Sequence, residues 1–202
     1  MVDRICNFLL KKIRNEMPEI DDERAEIINY GLQNIIGEIP KLFIMLGIAY
    51  ILGVLELSML AFLIMLPYRT FSGGFHLKTH IGCIIGTTLM YSGTALLAKS
   101  IIIEPIYLKY LILIAIWIFG MIMIKLYAPA DTENVPILRK KDRRKKQILS
   151  YITLTIILLI GVFIKNDVVF NIIFLGMLFQ TLTITKLAYK LTNNKYGYEV
   201  YT

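Results

Sequence analysis

The sequence predicts an all-α integral membrane protein, and three observations predict it. Of its 202 residues, 56% are hydrophobic and only 18% charged, where soluble domains have about 45–50% and about 25%. The mean hydropathy is +0.63. The apolar residues fall into six long blocks, 39 to 53, 55 to 67, 83 to 98, 106 to 124, 148 to 164 and 168 to 185, with the charge gathered between them. One integral membrane domain over residues 1–202 follows, with about six membrane segments, some short or re-entrant, preceded by amphipathic interfacial helices.

The N-terminal 38 residues read as two such helices. Ile5, Phe8, Leu9, Ile13 and Met17 recur at helical spacing with Lys11, Lys12 and Arg14 between them, the pattern of a helix lying on a membrane surface. Pro18 interrupts it. Asp21 and Asp22 can then cap a second helix through residues 22 to 37, with Ile28, Leu32, Ile35 and Ile36 as its stripe. This start has no apolar signal-peptide core, so the N-terminus is expected to remain on the chain.

Membrane segments are expected over residues 39–187, with 188–202 a cytoplasmic tail. A spanning helix needs about 20 residues, with a range of about 17 to 25. The last three blocks reach that length and 83 to 98 is marginal, whereas 39 to 67 reads either as one long tilted span or as two short ones broken near Gly53 and Ser58. Charge decides between them. Residues 139 to 146, RKKDRRKK, carry seven positive charges and one negative, or +6 of the net +7. Two segments in 39–67 put this cluster, both termini and residues 68 to 82 on the cytoplasmic side, as the positive-inside rule requires. The basic run is then a topology and anionic-lipid signal rather than a nucleic-acid site. Segments this short are shielded by neighbouring protein, for which a homodimer is one arrangement. Cytoplasmic exposure also leaves Cys6 and Cys83 as reduced thiols.

Between the second and third blocks lies RTFSGGFHLKTHIGC, residues 69 to 83, holding both histidines and one of the two cysteines. Three readings of His76, His80 and Cys83 stand side by side. A cysteine thiolate could attack a carbonyl while a histidine takes the thiol proton and later protonates the leaving amine. The i, i+4, i+7 spacing would also group the three side chains on one helix face as metal ligands, although Leu77 stands where an H-E-x-x-H motif has its acid and no fourth ligand is evident. The plain alternative is a polar interfacial loop. In a straight helix His76 and Cys83 lie about 10.5 Å apart along the axis, so spacing alone favours His80 as the partner of Cys83. Pairing with His76 requires a break, which Gly73, Gly74 and Gly82 permit.

The run Arg69-x-x-Ser72-Gly73-Gly74-x-His76-x6-Cys83 resembles the signature of the accessory gene regulator B (AgrB) family, membrane cysteine endopeptidases that process quorum-sensing peptide precursors. YAPADTENVPI at 127 to 137 is similar to a second family segment, ahead of the basic cluster. By position the resemblance implies that Cys83 is the nucleophile and His76 the base, that His80 has no catalytic part, and that the segment is not one straight helix. It makes Arg69, Ser72, Gly73 and Gly74 oxyanion or supporting positions, together with Gln33 of GLQN. It implies a bacterial cell membrane location and no cofactor or metal.

The implied partner is an AgrD-like precursor with an amphipathic N-terminal helix, an internal Cys or Ser and an acidic C-terminal tail. Attack of Cys83 at the tail junction would expel the tail and leave a peptidyl thioester, which the peptide's own Cys or Ser converts to a thiolactone or lactone. Exchange between thioesters keeps the acyl group activated, provided that water is excluded by neighbours such as Phe71, Phe75 and Ile81. Arg69, Lys78, Arg139, Lys140, Lys141, Arg143, Arg144, Lys145 and Lys146 would attract the acidic tail in a salt-dependent way. The rivals are a non-catalytic peptide transporter or scaffold, motivated by the small residues of GTTLMYSGT at 86 to 94, and a zinc-dependent membrane protease.

Overall fold

A computed structural model describes residues 2–77, 79–133 and 136–201; the side chains of Gln33 and His80 are outside what it describes. The described chain is helical throughout its regular structure. It divides into two compact units, Met1–Ile48 and Ala49–Thr202.

In the first unit α1 spans Val2–Glu16, and α2 begins at Asp22. The two predicted helices and the turn between them are therefore present. Asp21 caps α2 by accepting the Arg24 backbone N–H through Oδ1 at 2.8 Å, one of the donors that a helix start leaves unpaired. Arg14 adds an ion pair to Asp22 at 2.9 Å.

Helix α2 corrects the expected boundary at residue 38, because it is continuous over Asp22–Ile51 and runs through Pro40. Proline removes one ladder hydrogen bond but does not by itself stop a helix. What ends α2 is Gly53, whose φ of +66° allows the chain to turn. The Gly53 N–H reaches back to the Tyr50 carbonyl at 3.0 Å and the Val54 N–H to that of Ala49 at 2.9 Å.

The second unit is a helical bundle. It contains α3 (Leu55–Ser72), α4 (His80–Thr88), a π-helical turn (Leu89–Gly93), α5 (Thr94–Ser100), α6 (Ile106–Tyr127), α7 (Lys140–Phe163), α8 (Asp167–Thr183), α9 (Lys186–Leu191) and α10 (Gly197–Tyr201). Among the described residues, Ile81–Ser100, Ile106–Tyr127 and Lys140–Phe163 are long and apolar enough to cross a membrane, and α8 is a shorter apolar helix.

Two boundaries in this unit also differ from expectation. Helix α3 does not stop at residue 67 but continues through Pro67 to Ser72, so that Arg69 sits in its last turn. Helix α7 starts at Lys140, so the basic cluster forms its first turns instead of a loop. Lysine and arginine are good helix formers, and nothing in that run breaks a helix.

Helix α8 is the centre against which α3, α5, α6 and α7 pack. Close approach depends on small residues. A Cβ on Gly176 would lie 2.9 Å from Met65 Cγ of α3, and one on Gly120 of α6 would lie 2.4 Å from Leu154 Cδ2 of α7. Asn171 of α8 donates through Nδ2 to the carbonyls of Ala98 at 2.9 Å and Ile101 at 2.8 Å, satisfying the open end of α5. The π-helical turn buries Tyr91 and Ser92, with Ser92 Oγ accepting from Ser58 Oγ at 3.2 Å.

Candidate active site

The stretch from Arg69 to Cys83 is a helix end, an extended segment and a new helix start. Residues 73 to 77 and 79 lie outside any helix. Gly73 and Gly74 make the exit from α3, with φ of +74° and +143°, a region in which a side chain would be strained. Space forbids one as well: a Cβ on Gly73 would lie 2.2 Å from the Ala130 carbonyl oxygen, and one on Gly74 would lie 2.6 Å from Thr183 Oγ1.

That closeness brings the two sequence motifs together. Gly73 forms a parallel bridge with Ala130 of the YAPAD segment. The Gly74 N–H donates to the Ala130 carbonyl at 3.0 Å, and the Ala130 N–H to the Ser72 carbonyl at 2.8 Å. On the other side the Phe75 N–H donates to the Thr183 carbonyl at the end of α8, at 3.3 Å. The extended backbone thus finds partners on both flanks, as buried polar groups must.

Gln180, fully buried in α8, completes the clamp. Its Oε1 accepts from Arg69 Nη1 at 3.2 Å, while its Nε2 donates to Ser72 Oγ at 3.0 Å and to the Gly73 carbonyl at 2.8 Å. One side chain therefore ties three of the motif residues. Ser72 is itself fully buried, which suits a supporting role.

His76 lies in the extended segment with its side chain at the surface, and its carbonyl accepts from Asn194 Nδ2 at 2.9 Å. Thr79 then caps α4: its Oγ1 accepts the Gly82 N–H at 3.0 Å, and its carbonyl accepts the Cys83 N–H at 2.9 Å. Cys83 is consequently in the first turn of α4, half-buried and free of any disulfide. The two-turn separation of His76 and Cys83 calculated for a straight helix does not apply to this chain path. His80 opens α4, three residues before Cys83.

Cys83 lines a cavity of about 380 Å³, shared with Arg69, Phe75, Met90, Phe179 and Thr183. Arg69 Nη1 reaches Met90 Sδ at 3.8 Å. The walls are largely apolar with a cation and the hydroxyl residues Thr87, Tyr91 and Thr183 among them, which fits the composition of a small ligand site.

The basic cluster divides in two. Arg143 turns inward to the fully buried Asp131 carboxylate at 3.1 Å, to the Pro129 carbonyl at 3.2 Å and onto the Tyr198 ring, 4.3 Å from its centroid. Arg139, Lys140, Lys141, Arg144 and Lys145 are exposed and Lys146 is half-buried. Gln33 belongs to the first unit, and its side chain, like that of His80 and the whole of Lys78, lies outside the described residues.

Gln180 and the C-terminal residues lie in neither motif, and Asp131 lies in the second. Tyr189 donates to the carbonyls of Ala130 and Asp131 at 2.9 and 3.0 Å, and Tyr196 donates to that of Ile184 at 2.9 Å. Their rings stack with centroids 4.0 Å apart. Burial pushes both phenols above their ordinary value, with the Asp131 charge reinforcing it at Tyr189 and neighbouring phenols at Tyr196. They remain protonated donors at neutral pH.

Comparison with known proteins places the chain in a family. The chain is 29% identical over 201 residues to an AgrB-like protein of Listeria innocua, covering 98% of this chain and 94% of that one. It is 28% identical over 204 residues to one of Listeria monocytogenes, with the same coverage, and 29% identical over 199 residues to AgrB-like protein 2 of Clostridium perfringens, covering 92% of each. No solved structure matches the chain significantly. The family model described as accessory gene regulator B matches residues 3–184, which contain both motifs and the helices that hold them: the chain belongs to the AgrB family, and its membership suggests a part in accessory gene regulator quorum-sensing peptide processing.

Proposed function

We propose that the protein is a multi-pass membrane cysteine endopeptidase that removes the acidic C-terminal tail of an AgrD-type precursor and passes the acyl group on to a cyclic product. In this reading about six membrane segments leave both termini and the Cys83 segment facing the cytoplasm. The observation that carries it is the position of Cys83, half-buried in the first turn of α4 and in the wall of a mostly apolar cavity. The base rides on the adjacent extended segment.

The steps balance as acyl transfer. His76 takes the Cys83 thiol proton as Sγ attacks the carbonyl at the tail junction; the carbon–nitrogen bond then breaks and the same proton goes to the leaving amine. An enzyme thioester remains. The peptide's own thiol next loses its proton and attacks that carbonyl, the bond to Cys83 breaks, and the proton returns to the Cys83 sulfur. A peptide hydroxyl gives a lactone by the same route. The apolar walls formed by Phe75, Leu77 and Phe179 favour this exchange over hydrolysis by limiting water.

The exposed part of the basic cluster supports capture of the acidic tail. Arg143, held by Asp131, serves structure instead. Gln33, Lys78 and a homodimer complete the proposal as supporting donor, tail contact and shield for the short segments.

Co-expression with a small acidic-tailed precursor, followed by mass spectrometry, tests the reading. Cys83→Ala and His76→Ala are each expected to lower tail release by 100-fold or more, on the order of what a nucleophile or general base contributes, while His80→Ala retains most of it. Undiminished release by Cys83→Ala would sink the peptidase reading, and loss on His80→Ala alone would make His80 the base.

A further inference from the structure

The C-terminal residues after α8, of which 188–202 were expected to be a cytoplasmic tail, are fastened to the site at several points. Residues 186 to 201 form α9, a turn and α10. Tyr189 and Tyr196 are almost wholly buried. The family match ends at residue 184, so this strap lies beyond it.

Two routes lead from the strap to the segment carrying His76. The first is direct, from Asn194 Nδ2 to the His76 carbonyl at 2.9 Å. Asn194 is itself oriented, with the same amide 2.9 Å from Thr192 Oγ1 and 3.2 Å from the Thr192 carbonyl. The second passes through Ala130, whose carbonyl accepts both the Tyr189 hydroxyl at 2.9 Å and the Gly74 N–H at 3.0 Å. One oxygen thus joins the strap to the glycine turn. Tyr196, stacked on Tyr189 and bonded to the Ile184 carbonyl, locks the strap onto the end of α8.

The distribution of bonds makes the Asn194 contact informative. Residues 72 to 75 are clamped by α8 and YAPAD, but His76 stands just beyond that clamp. Asn194 reaches the backbone at the one residue whose side chain must hold its direction. Asn194 is not one of the residues that line the cavity.

We propose that the C-terminal strap is a working part of the active site and that Asn194 is a positioning residue, fixing the peptide plane that aims the His76 imidazole at Cys83. The inference rests on the acyl-transfer reading of Cys83 and His76. A disrupted strap is expected to slow the chemical step while leaving precursor capture, assigned to the exposed basic cluster, in place.

The test uses the full chain in lipid nanodiscs with Asn194→Ala and the isosteric Asn194→Asp, which keeps the shape but loses the N–H donor. Hydrogen exchange at the amides of residues 75 to 77 is measured without substrate. Tail release is then measured with a synthetic precursor carrying an amphipathic helix, an internal cysteine and an acidic tail. Both variants are expected to exchange faster at these amides and to lower kcat about ten-fold, the scale of one lost hydrogen bond, with KM within about two-fold of wild type. A role in shape alone would spare the Asp variant. Wild-type kcat in either variant overturns the proposal, whatever the exchange shows. Tail release that persists in Cys83→Ala overturns the acyl-transfer reading itself, and the exchange data then still report whether the strap holds the segment.

Discussion

Helices α6 and α8 are similarly apolar in sequence and opposite in use. Helix α6 has 22 residues of which four are buried, Leu113, Ile116, Gly120 and Ile124, in one stripe facing α7 and α8. Helix α8 has 17 residues of which eleven are buried, including Asn171, Gln180, Thr181 and Thr183. Hydropathy rises wherever a helix avoids water, whether it meets lipid or protein. Polar residues separate the two cases, because lipid offers them no partner. In α8 every one of the four reaches a backbone or side-chain group, and in α6 the buried stripe contains no polar side chain.

The sharpest way to break this contrast is Gln180→Leu. It makes α8 resemble α6 and leaves Arg69, Ser72 Oγ and the Gly73 carbonyl short of a partner. At about 1–3 kcal/mol for each buried group left unpaired, a fall of several degrees in the unfolding midpoint in detergent is expected, together with loss of tail release. A midpoint and activity like wild type would mean that α8 does not hold the site.

Alkali probes the same helix through the strap bound to its end. Tyr189 and Tyr196 are held above the ordinary phenol value of 10.0 by burial first. The folded state therefore keeps protons that the unfolded state loses, so their contribution is complete below about pH 10 and declines as pH rises toward the folded-state values. Proteolytic cleavage within residues 192 to 200 is expected to quicken above about pH 10. Tyr196→Phe, which cannot ionise, should reduce that pH dependence; an unchanged profile would exclude Tyr196 as a cause.

The smallest effect is expected on α6. Ile118 is 49% exposed on the bundle surface, and Ile118→Val should move the unfolding free energy by under about 0.5 kcal/mol. A change as large as that of Gln180→Leu would mean that this face of α6 is covered by another chain.

Much of this was legible in residues. The class came from block hydropathy and the cap at Asp21 from a carboxylate ahead of an apolar stripe, whereas the break at Gly73 and Gly74, which the glycines only permitted, was implied by the family resemblance. The meeting of the two motifs through Gly73 and Ala130 was hidden, since nothing local announces a backbone pairing across more than fifty residues. The boundary near residue 38 misled because the change from polar to apolar there marks a change of surroundings and not a break in the helix. In sequence Arg143 is indistinguishable from its neighbours in RKKDRRKK; its pairing with the buried Asp131 sets it apart only in three dimensions. Gln180 and Asn171 left a signal, single amides within an apolar run. So did the strap, with Tyr189, Tyr196 and Tyr198 in what otherwise reads as a polar tail.

The π-helical turn at Leu89–Gly93 bears on which way Cys83 looks. In an uninterrupted α-helix Cys83 and Thr94, eleven residues apart, would sit close to three full turns from each other and share one face. Thr94 is fully buried, in the helix that packs on α8. A π turn takes up about one extra residue, which rotates all that precedes it by about 100° relative to all that follows. The helical phase is thus reset between the half that packs on α8 and the half that carries Cys83 at the cavity.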